Sequence, residues 1–105
     1  FIQIGDSAIA TVGSLARNDG VSVDTYPTNT EIRGNHFSGV GIWGKQVSAL
    51  FSAVSCRTSF INNVLYNGPR AGININDGFC GGHNISFNVI FNWVRETQDH
   101  GPINT

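Results

Sequence analysis

Apolar and polar side chains alternate in short runs along this chain, and Gly, Asn or Pro residues separate the runs. Alternation puts successive side chains on opposite faces of an extended strand, whereas a helix repeats its apolar positions about every 3.6 residues. The 13 glycines leave no long window that is suited to a stable helix. The pattern therefore predicts an all-β protein of short strands with little helix.

One phrase of the pattern is repeated. Residues 63–67 read NVLYN, residues 88–92 read NVIFN, and a weaker copy, NHFSG, occupies residues 35–39. The leading asparagines at positions 35, 63 and 88 are 28 and 25 residues apart, and an apolar residue stands three positions before each of them. A period of this size is typical of solenoids, in which each repeat is stacked on its neighbour.

A second phrase has nearly the same period. Ile42, Ile73 and Ile103 occupy the same place in three short segments and are 31 and 30 residues apart. Strand parity then predicts that these isoleucines stack inward as one column. Two further inward columns are predicted, one of Val40, Ala71 and Gly101 and one of Phe37, Leu65 and Ile90.

The asparagine phrases resemble those of right-handed parallel β-helix proteins of the pectate-lyase-like superfamily. The resemblance is carried by residues 32–35 (IRGN), 60–63 (FINN) and 85–88 (ISFN), and it covers residues 30–105. It implies that each repeated asparagine lies at a tight bend and bonds to its copy on the next coil. Lyases, hydrolases, epimerases, adhesins and structural proteins share this scaffold, so the resemblance indicates architecture better than activity.

The 105 residues predict one domain, a parallel β-helix segment over residues 1–105 with roughly four coils. Residues 14–29 depart from the period and contain the turn signal Asn18-Asp19-Gly20, so we expect a loop projecting from one corner. Neither end carries a capping pattern, which leads us to expect a segment of a longer β-helix. A small domain that closes its ends by oligomerising is the alternative.

Charge narrows the range of partners. The net charge is −1 and charged residues make up 12% of the chain, which argues against nucleic acids and against a polybasic membrane surface. No apolar run approaches the roughly 20 residues that span a bilayer. Many uncharged polar residues are typical of extracellular β proteins, so we expect a secreted or cell-surface protein. The expected partner is a polysaccharide, or further coils of the same or another chain.

The two cysteines occupy similar places in the repeat. Cys56 lies seven positions before Asn63, and Cys80 lies eight positions before Asn88. Neighbouring coils are about 4.8 Å apart, which allows a disulfide if the two side chains converge. Two buried free thiols are the alternative, because cysteine is also a common small core residue.

Candidate chemistry is concentrated near the second phrase. Parity puts Arg70 and His100 in one outward column, and Asp99 adjoins them. In family members that act on acidic polysaccharides, a cation neutralises the sugar carboxylate and a base removes the neighbouring proton. The resemblance implies these roles for Arg70 and His100. The candidate substrate-binding residues are Trp43, Lys45, Asn74 and Asn104. A salt bridge for Arg70, a loop histidine and a packed tryptophan are the structural alternatives.

Three weaker signals complete the candidate sites. Glu96 and Asp99 supply hard oxygen ligands for Ca²⁺, a frequent partner of family members, although calcium takes 6–8 oxygens. A hydrolase needs two carboxylates that flank one bond, and Asp77 and Asp99 are the only near candidates, with a separation that the sequence does not fix. Asn84-Ile85-Ser86 is a glycosylation sequon, so Asn84 is a candidate acceptor.

These observations predict an extracellular β-helix protein that binds or acts on an acidic polysaccharide, with a lyase-like, epimerase-like or glycosidase-like activity if it is an enzyme. The convergence of Trp43, Arg70, Asp99 and His100 favours this hypothesis. A non-catalytic structural or adhesive segment of a larger extracellular assembly is the alternative, which the low charge favours.

Overall fold

The computed structural model describes residues 1–14, 26–77 and 79–105. Over these residues the regular secondary structure consists of eleven strands and includes no helix, which confirms the predicted all-β class. The predicted loop at residues 14–29 lies mostly outside the described residues, because residues 15–25 are not among them. The strands are β1 (Ile2–Ile4), β2 (Ile9–Val12), β3 (Glu31–Arg33), β4 (His36–Val40), β5 (Leu50–Ala53), β6 (Ser59–Ile61), β7 (Val64–Tyr66), β8 (Ile73–Ile75), β9 (Asn84–Ser86), β10 (Val89–Phe91) and β11 (Ile103–Asn104).

The strands of the described residues form three sheets, and the chain visits the sheets in rotation. The first sheet has the order β1-β4-β7-β10, the second β2-β5-β8-β11 and the third β3-β6-β9. Every pairing between these strands is parallel. Each pass of the chain therefore lies on the preceding pass, an arrangement compatible with a parallel β-solenoid.

The asparagine phrase predicts the register of two sheets correctly. In the first sheet Phe37 pairs with Leu65, and Leu65 pairs with Ile90, as the predicted inward column requires. Phe37 and Leu65 are fully buried, and Ile90 packs against the same core. In the third sheet the apolar residues that precede each asparagine are also in register, namely Ile32, Phe60 and Ile85.

The alignment of Ile42 with Ile73 is wrong. Ile73 pairs with Ile103 as predicted, but its other partner is Leu50, which in turn pairs with Ile9. Ile42 is 42% exposed and lies in the loop between β4 and β5. The loop at residues 41–49 is longer than the next equivalent loop, at residues 67–72. A constant repeat spacing therefore places the predicted strand inside the longer loop, before β5 begins. The same error misplaces Val40, which belongs to the first sheet and pairs with Ile4.

Bends between the third and first sheets share one backbone conformation. Gly34, Asn62 and Phe87 occupy equivalent positions and have φ values of 67°, 55° and 56°. This left-handed region suits glycine and asparagine, whereas a bulky residue such as phenylalanine is sterically strained there. The next residue in each bend is one of the repeated asparagines.

The repeated asparagines form a ladder of hydrogen bonds at this corner. Asn63 Oδ1 accepts from the backbone N of Asn35 at 2.8 Å, and Asn88 Oδ1 accepts from the backbone N of Asn63 at 2.9 Å. The Nδ2 of Asn63 also donates to the carbonyl oxygen of Ile32 at 3.0 Å. Asn63 is fully buried, so this amide satisfies backbone groups that water does not reach.

Candidate functional site

Most of the predicted site residues lie at one corner of the molecule, where loops join the first sheet to the second. These loops cover residues 5–8, 41–49, 67–72 and 92–102. They are stacked because the strands on either side of them are stacked. Six of the predicted residues are carried here: Trp43, Lys45, Arg70, Glu96, Asp99 and His100.

A cleft of about 370 Å³ opens between these loops. Charged side chains on its wall are Lys45, Arg95 and Glu96, and the amides of Gln3 and Asn67 add polar groups. The remaining lining is largely small or apolar: Gly39, Val40, Gly41, Ile42, Gly68 and Pro69. The polar groups that converge on this open cleft are of the kind that fix the orientation of a bound ligand.

Backbone hydrogen bonds fix one wall of the cleft. Arg95 donates its backbone N–H to the carbonyl oxygen of Gly68 at 3.3 Å, and Glu96 donates to that of Pro69 at 2.9 Å. The buried ring of Trp93 lies against Gly68, where an added Cβ would come 2.1 Å from the ring. The loop that carries Arg95 and Glu96 is therefore held on the loop below it.

A salt bridge joins two residues of the cleft wall. Lys45 Nζ donates to Glu96 Oε1 at 3.1 Å, and the two side chains are 46% and 47% exposed. An ion pair exposed to this degree contributes at most about 1 kcal/mol, because water screens it. The bridge positions the lysine but is weak enough for a competing anion to replace the glutamate.

Next to the cleft, three predicted residues form a hydrogen-bonded chain. His100 Nδ1 lies 2.5 Å from Asp99 Oδ1, and His100 Nε2 lies 2.5 Å from Arg70 Nη2. Because a guanidinium can only donate, Nε2 is the acceptor and the ring proton is on Nδ1, from which it is donated to Asp99. This hydrogen bond from His100 is the main reason that the pKa of Asp99 falls below 3.8, its unperturbed value.

The three members of this chain differ in exposure. The side chain of His100 is 14% exposed and that of Asp99 is 77% exposed. Arg70 is partly buried, and its Nε is buried without a hydrogen-bond partner among the residues described. The carboxylate therefore faces solvent, while the histidine and the arginine are sheltered beside the loops of the cleft.

Trp43 lies at the same corner but does not line the cleft. Its side chain is among the most exposed of the apolar ones, at 84%, and an added Cβ on Gly5 would come 2.4 Å from its ring. The backbone N–H of Trp43 donates to the Gly5 carbonyl oxygen at 3.0 Å, which fixes the turn. The indole therefore rests on a glycine and leaves its outer surface free for a ligand.

The second sheet carries the remaining predicted binding residues. Asn104 Nδ2 donates to Asn74 Oδ1 at 2.8 Å, so these two residues are paired as predicted from the second phrase. Trp43 does not join that column, because the partner of Asn74 on β5 is Phe51. Asn74 is only 3% exposed, and neither asparagine lines the cleft.

Each of the carboxylates predicted for calcium binding or hydrolysis already has its own partner. Glu96 binds Lys45 and Asp99 binds His100. Asp77 accepts hydrogen bonds from the backbone N–H groups of Val54 and Phe79, at the opposite end of the second-sheet strands from Asp99. Across the described residues no group of three or more His, Cys, Asp or Glu could hold a metal. These residues do not fit a calcium site.

Sequence reasoning missed part of the lining of the cleft, above all Gln3 and Asn67. Both residues have positive φ, 55° for Gln3 and 60° for Asn67, and both stand where a strand of the first sheet bends. The repetition of the final asparagine in NVLYN and NVIFN is a signal for a bend. That the bend borders a cleft depends on the length of the neighbouring loops, which the repeat does not encode.

The corner between the second and third sheets holds the cysteines. Cys56 and Cys80 form a disulfide with a Cα–Cα distance of 5.3 Å. Cys56 also bridges to Thr28 in parallel, which ties this corner to the chain that precedes β3. Asn84, the predicted glycan acceptor, is exposed at the start of β9.

Comparisons of this chain with protein-family models, with curated proteins and with solved structures found no match. Among the described residues, no helix has the length and apolar character needed to cross a membrane. The resemblance to pectate-lyase-like proteins rests on the asparagine repeat, and the parallel sheets in rotation are compatible with it.

Proposed function

We propose that this protein is a right-handed parallel β-helix, related to the pectate-lyase-like proteins, that binds and acts on an acidic polysaccharide. The observation that carries the proposal is the cleft, in which two cations and two amides converge beside the Asp99–His100–Arg70 chain. Three described loops bring charged side chains together here, in a chain of which only 12% of residues are charged.

Charge favours an acidic ligand over a neutral one. Lys45 and Arg95 outnumber Glu96 on the wall of the cleft, so the wall is net positive. A ligand carboxylate replaces Glu96 at Lys45 at little cost, because the existing bridge is exposed. The amides of Gln3 and Asn67 suit hydroxyl groups, and the exposed indole of Trp43 suits the apolar face of a sugar ring.

The chain of Asp99, His100 and Arg70 suits a lyase reaction. Arg70 neutralises the uronate carboxylate, which acidifies the proton on the adjacent carbon. His100 Nε2 takes that proton, the electron pair forms a carbon–carbon double bond, and the bond to the departing sugar oxygen breaks. The leaving oxygen takes a proton from water. Asp99 stabilises the imidazolium that forms, because it already accepts the Nδ1 proton.

We propose that the protein is extracellular, and the paired cysteines support this location. Disulfides such as Cys56–Cys80 persist in oxidising compartments and are rare in the cytosol. The exposed Asn84 is available to a glycosylating enzyme in a secretory pathway. Peptide mass spectrometry of the secreted protein tests the glycan directly, and an unmodified Asn84 in a eukaryotic secretion host removes that part of the proposal.

Binding is tested by calorimetry with tetragalacturonate and tetramannuronate, using maltotetraose as the neutral control. We expect an acidic tetrasaccharide to bind and Lys45→Ala or Arg95→Ala to weaken it about tenfold, as loss of one charge-assisted contact predicts. Arg33→Ala is the matched control, because Arg33 is exposed on the third sheet and pairs with Glu31. No binding by either uronate, or equal binding of maltotetraose, contradicts the proposal.

Turnover is tested by the ultraviolet absorbance of an unsaturated product. We expect the absorbance to rise with an acidic polysaccharide and to be lost in His100→Ala and Arg70→Ala. Retained turnover in both variants removes the catalytic assignment. Binding without any turnover would show that the protein is a polysaccharide-binding module and not an enzyme.

A non-catalytic structural or adhesive role is the second candidate, and the strand edges favour it. Apolar side chains are exposed on the outermost strands at both ends of the stack, with Ile2 at 71%, Val89 at 55% and Phe91 at 50%. Such edges can pair with further coils of the same or another chain. Sedimentation over a concentration series separates the candidates, because a structural segment assembles and a monomer that binds uronate does not.

A further inference from the structure

Both ring nitrogens of His100 are engaged in the ligand-free protein. Nδ1 lies 2.5 Å from Asp99 Oδ1, and Nε2 lies 2.5 Å from Arg70 Nη2. A neutral imidazole has one donor and one acceptor nitrogen, and here each already has a partner. The lone pair of Nε2, which a general base uses, is therefore occupied by the guanidinium.

Arg70 has an unused donor next to the one that binds His100. Its Nε is buried and has no hydrogen-bond partner among the described residues. Nε and Nη2 lie on the same edge of the guanidinium, and this edge fits the two oxygens of a carboxylate. A carboxylate therefore offers Arg70 two charged acceptors, where the imidazole offers one neutral acceptor.

We propose that Arg70 masks the Nε2 of His100 in the free protein and that a ligand carboxylate displaces the guanidinium and uncovers the base. The displacement rests on the proposed function, whereas the masking does not. An unpaired buried donor is costly, so the exchange is favoured by satisfying Nε as well as by charge. The consequence is a selectivity step: a neutral sugar that enters the cleft leaves His100 masked.

Masking is tested without any ligand by the reactivity of His100 toward diethyl pyrocarbonate, which acylates an imidazole nitrogen with a free lone pair. His36 is exposed and serves as the reference within the same molecule. After the disulfide is reduced, trypsin places each histidine in its own peptide, and mass spectrometry gives three separate rates. The peptides are 34–45 for His36, 71–95 for His83 and 96–105 for His100.

We expect Arg70→Ala to raise the rate at His100, relative to His36, about tenfold, the factor set by a hydrogen bond to a charged group. Arg57→Asn is the matched control, because it removes an exposed guanidinium from another corner and keeps a residue that tolerates the φ of 49°. An unchanged ratio in a folded Arg70→Ala protein overturns the masking.

Asp99→Asn gives a second test that does not depend on replacing Arg70. Asp99 is 77% exposed, so the variant is expected to fold. The asparagine carbonyl oxygen can still accept from Nδ1, and the Arg70 guanidinium can only donate to Nε2, so the ring proton should stay on Nδ1. The ¹⁵N shifts of His100 should then report an Nδ1–H tautomer in the variant as in the parent protein. An Nε2–H tautomer in the parent protein overturns the proposal.

Displacement is tested by the ¹⁵N resonance of His100 Nε2 during titration with tetragalacturonate or tetramannuronate. We expect a downfield shift toward the value of an unbonded lone pair, and no shift with maltotetraose. A uronate that binds by calorimetry but leaves the resonance unmoved overturns the displacement and leaves the proposed function intact. If neither uronate binds, both the proposed function and the displacement are wrong. The acylation rates of His100 then test the masking by themselves.

Discussion

Two corners of this molecule are built in opposite ways. Between the third and first sheets, every bend consists of two residues, at 34–35, 62–63 and 87–88. Between the first and second sheets, the loops at 41–49, 67–72 and 92–102 all differ in length. The short corner contains the asparagine ladder, and the long corner contains the cleft and the Asp99–His100–Arg70 chain.

The difference shows that the short corner keeps the strands in register, whereas the long corner carries the candidate chemistry. A two-residue bend fixes the spacing between strands, so the strands on both of its sides stay in register from pass to pass. A loop of variable length does not fix the strand register, because parallel pairing resumes where the next strand begins. The variable corner is therefore free to carry charged residues that have no equivalent in the other repeats, such as Lys45, Arg95 and Glu96.

The largest effect is expected from Asn63→Ala at the short corner. The change leaves the part-buried backbone N–H of Asn35 and the buried carbonyl of Ile32 without these partners, at about 1–3 kcal/mol each, so we expect a loss of about 2–6 kcal/mol. Urea unfolding followed by the fluorescence of buried Trp93 measures it. Exposed Asn76→Ala is the control, with an expected change within about 0.5 kcal/mol. Equal stabilities for the two variants would mean that the ladder does not hold this corner.

Phe87→Asn should stabilise the same corner by about 1 kcal/mol, because it relieves a bulky residue at a φ of 56°. Phe87 is 83% exposed, so little burial is lost. The reciprocal change, Asn62→Phe at the equivalent bend, should destabilise by a similar amount. Thermal unfolding of both variants checks the pair, and shifts in the same direction would contradict the equivalence of the bends.

Glu96→Gln at the long corner should leave stability nearly unchanged, because its bridge to Lys45 is half exposed. An acidic tetrasaccharide should bind about two- to fivefold more tightly, because its carboxylate no longer has to replace Glu96 at Lys45. The replaced ion pair is worth about 0.2–1 kcal/mol. Glu31→Gln on the third sheet is the matched control and should leave affinity unchanged. Weaker binding in Glu96→Gln would show that the glutamate contacts the ligand itself.

The smallest effect concerns pH. The hydrogen bond from His100 holds the pKa of Asp99 below 3.8, so this contact stabilises the fold at higher pH and is lost as pH falls through the lowered pKa. Side-chain carboxyl NMR should show Asp99 titrating below 3.8, and His100→Ala should return it to that value. Glu31, whose pKa Arg33 holds below 4.5, is the internal reference. A normal Asp99 titration in the parent protein would contradict the contact.

The sequence by itself determined the all-β class and the register of β4, β7 and β10 and of the third sheet, and its resemblance to β-helix proteins implied the asparagine ladder. It could do so because the repeated residues pair with their own copies across two-residue bends, so equal spacing in the chain becomes contact in space. It also brought together Arg70 and His100, whose spacing matches that of the correctly aligned Ile73 and Ile103.

Only the tertiary structure decided the start of the second sheet and the shape of the site. Leu50 takes the place predicted for Ile42, because the loop at 41–49 uses more residues to cross the corner than a fixed period allows. The cleft, the bridge between Lys45 and Glu96 and the inclusion of Gln3 depend on how loops of unequal length stack. Their contacts join residues with no common repeat position, so periodicity contains no information about them.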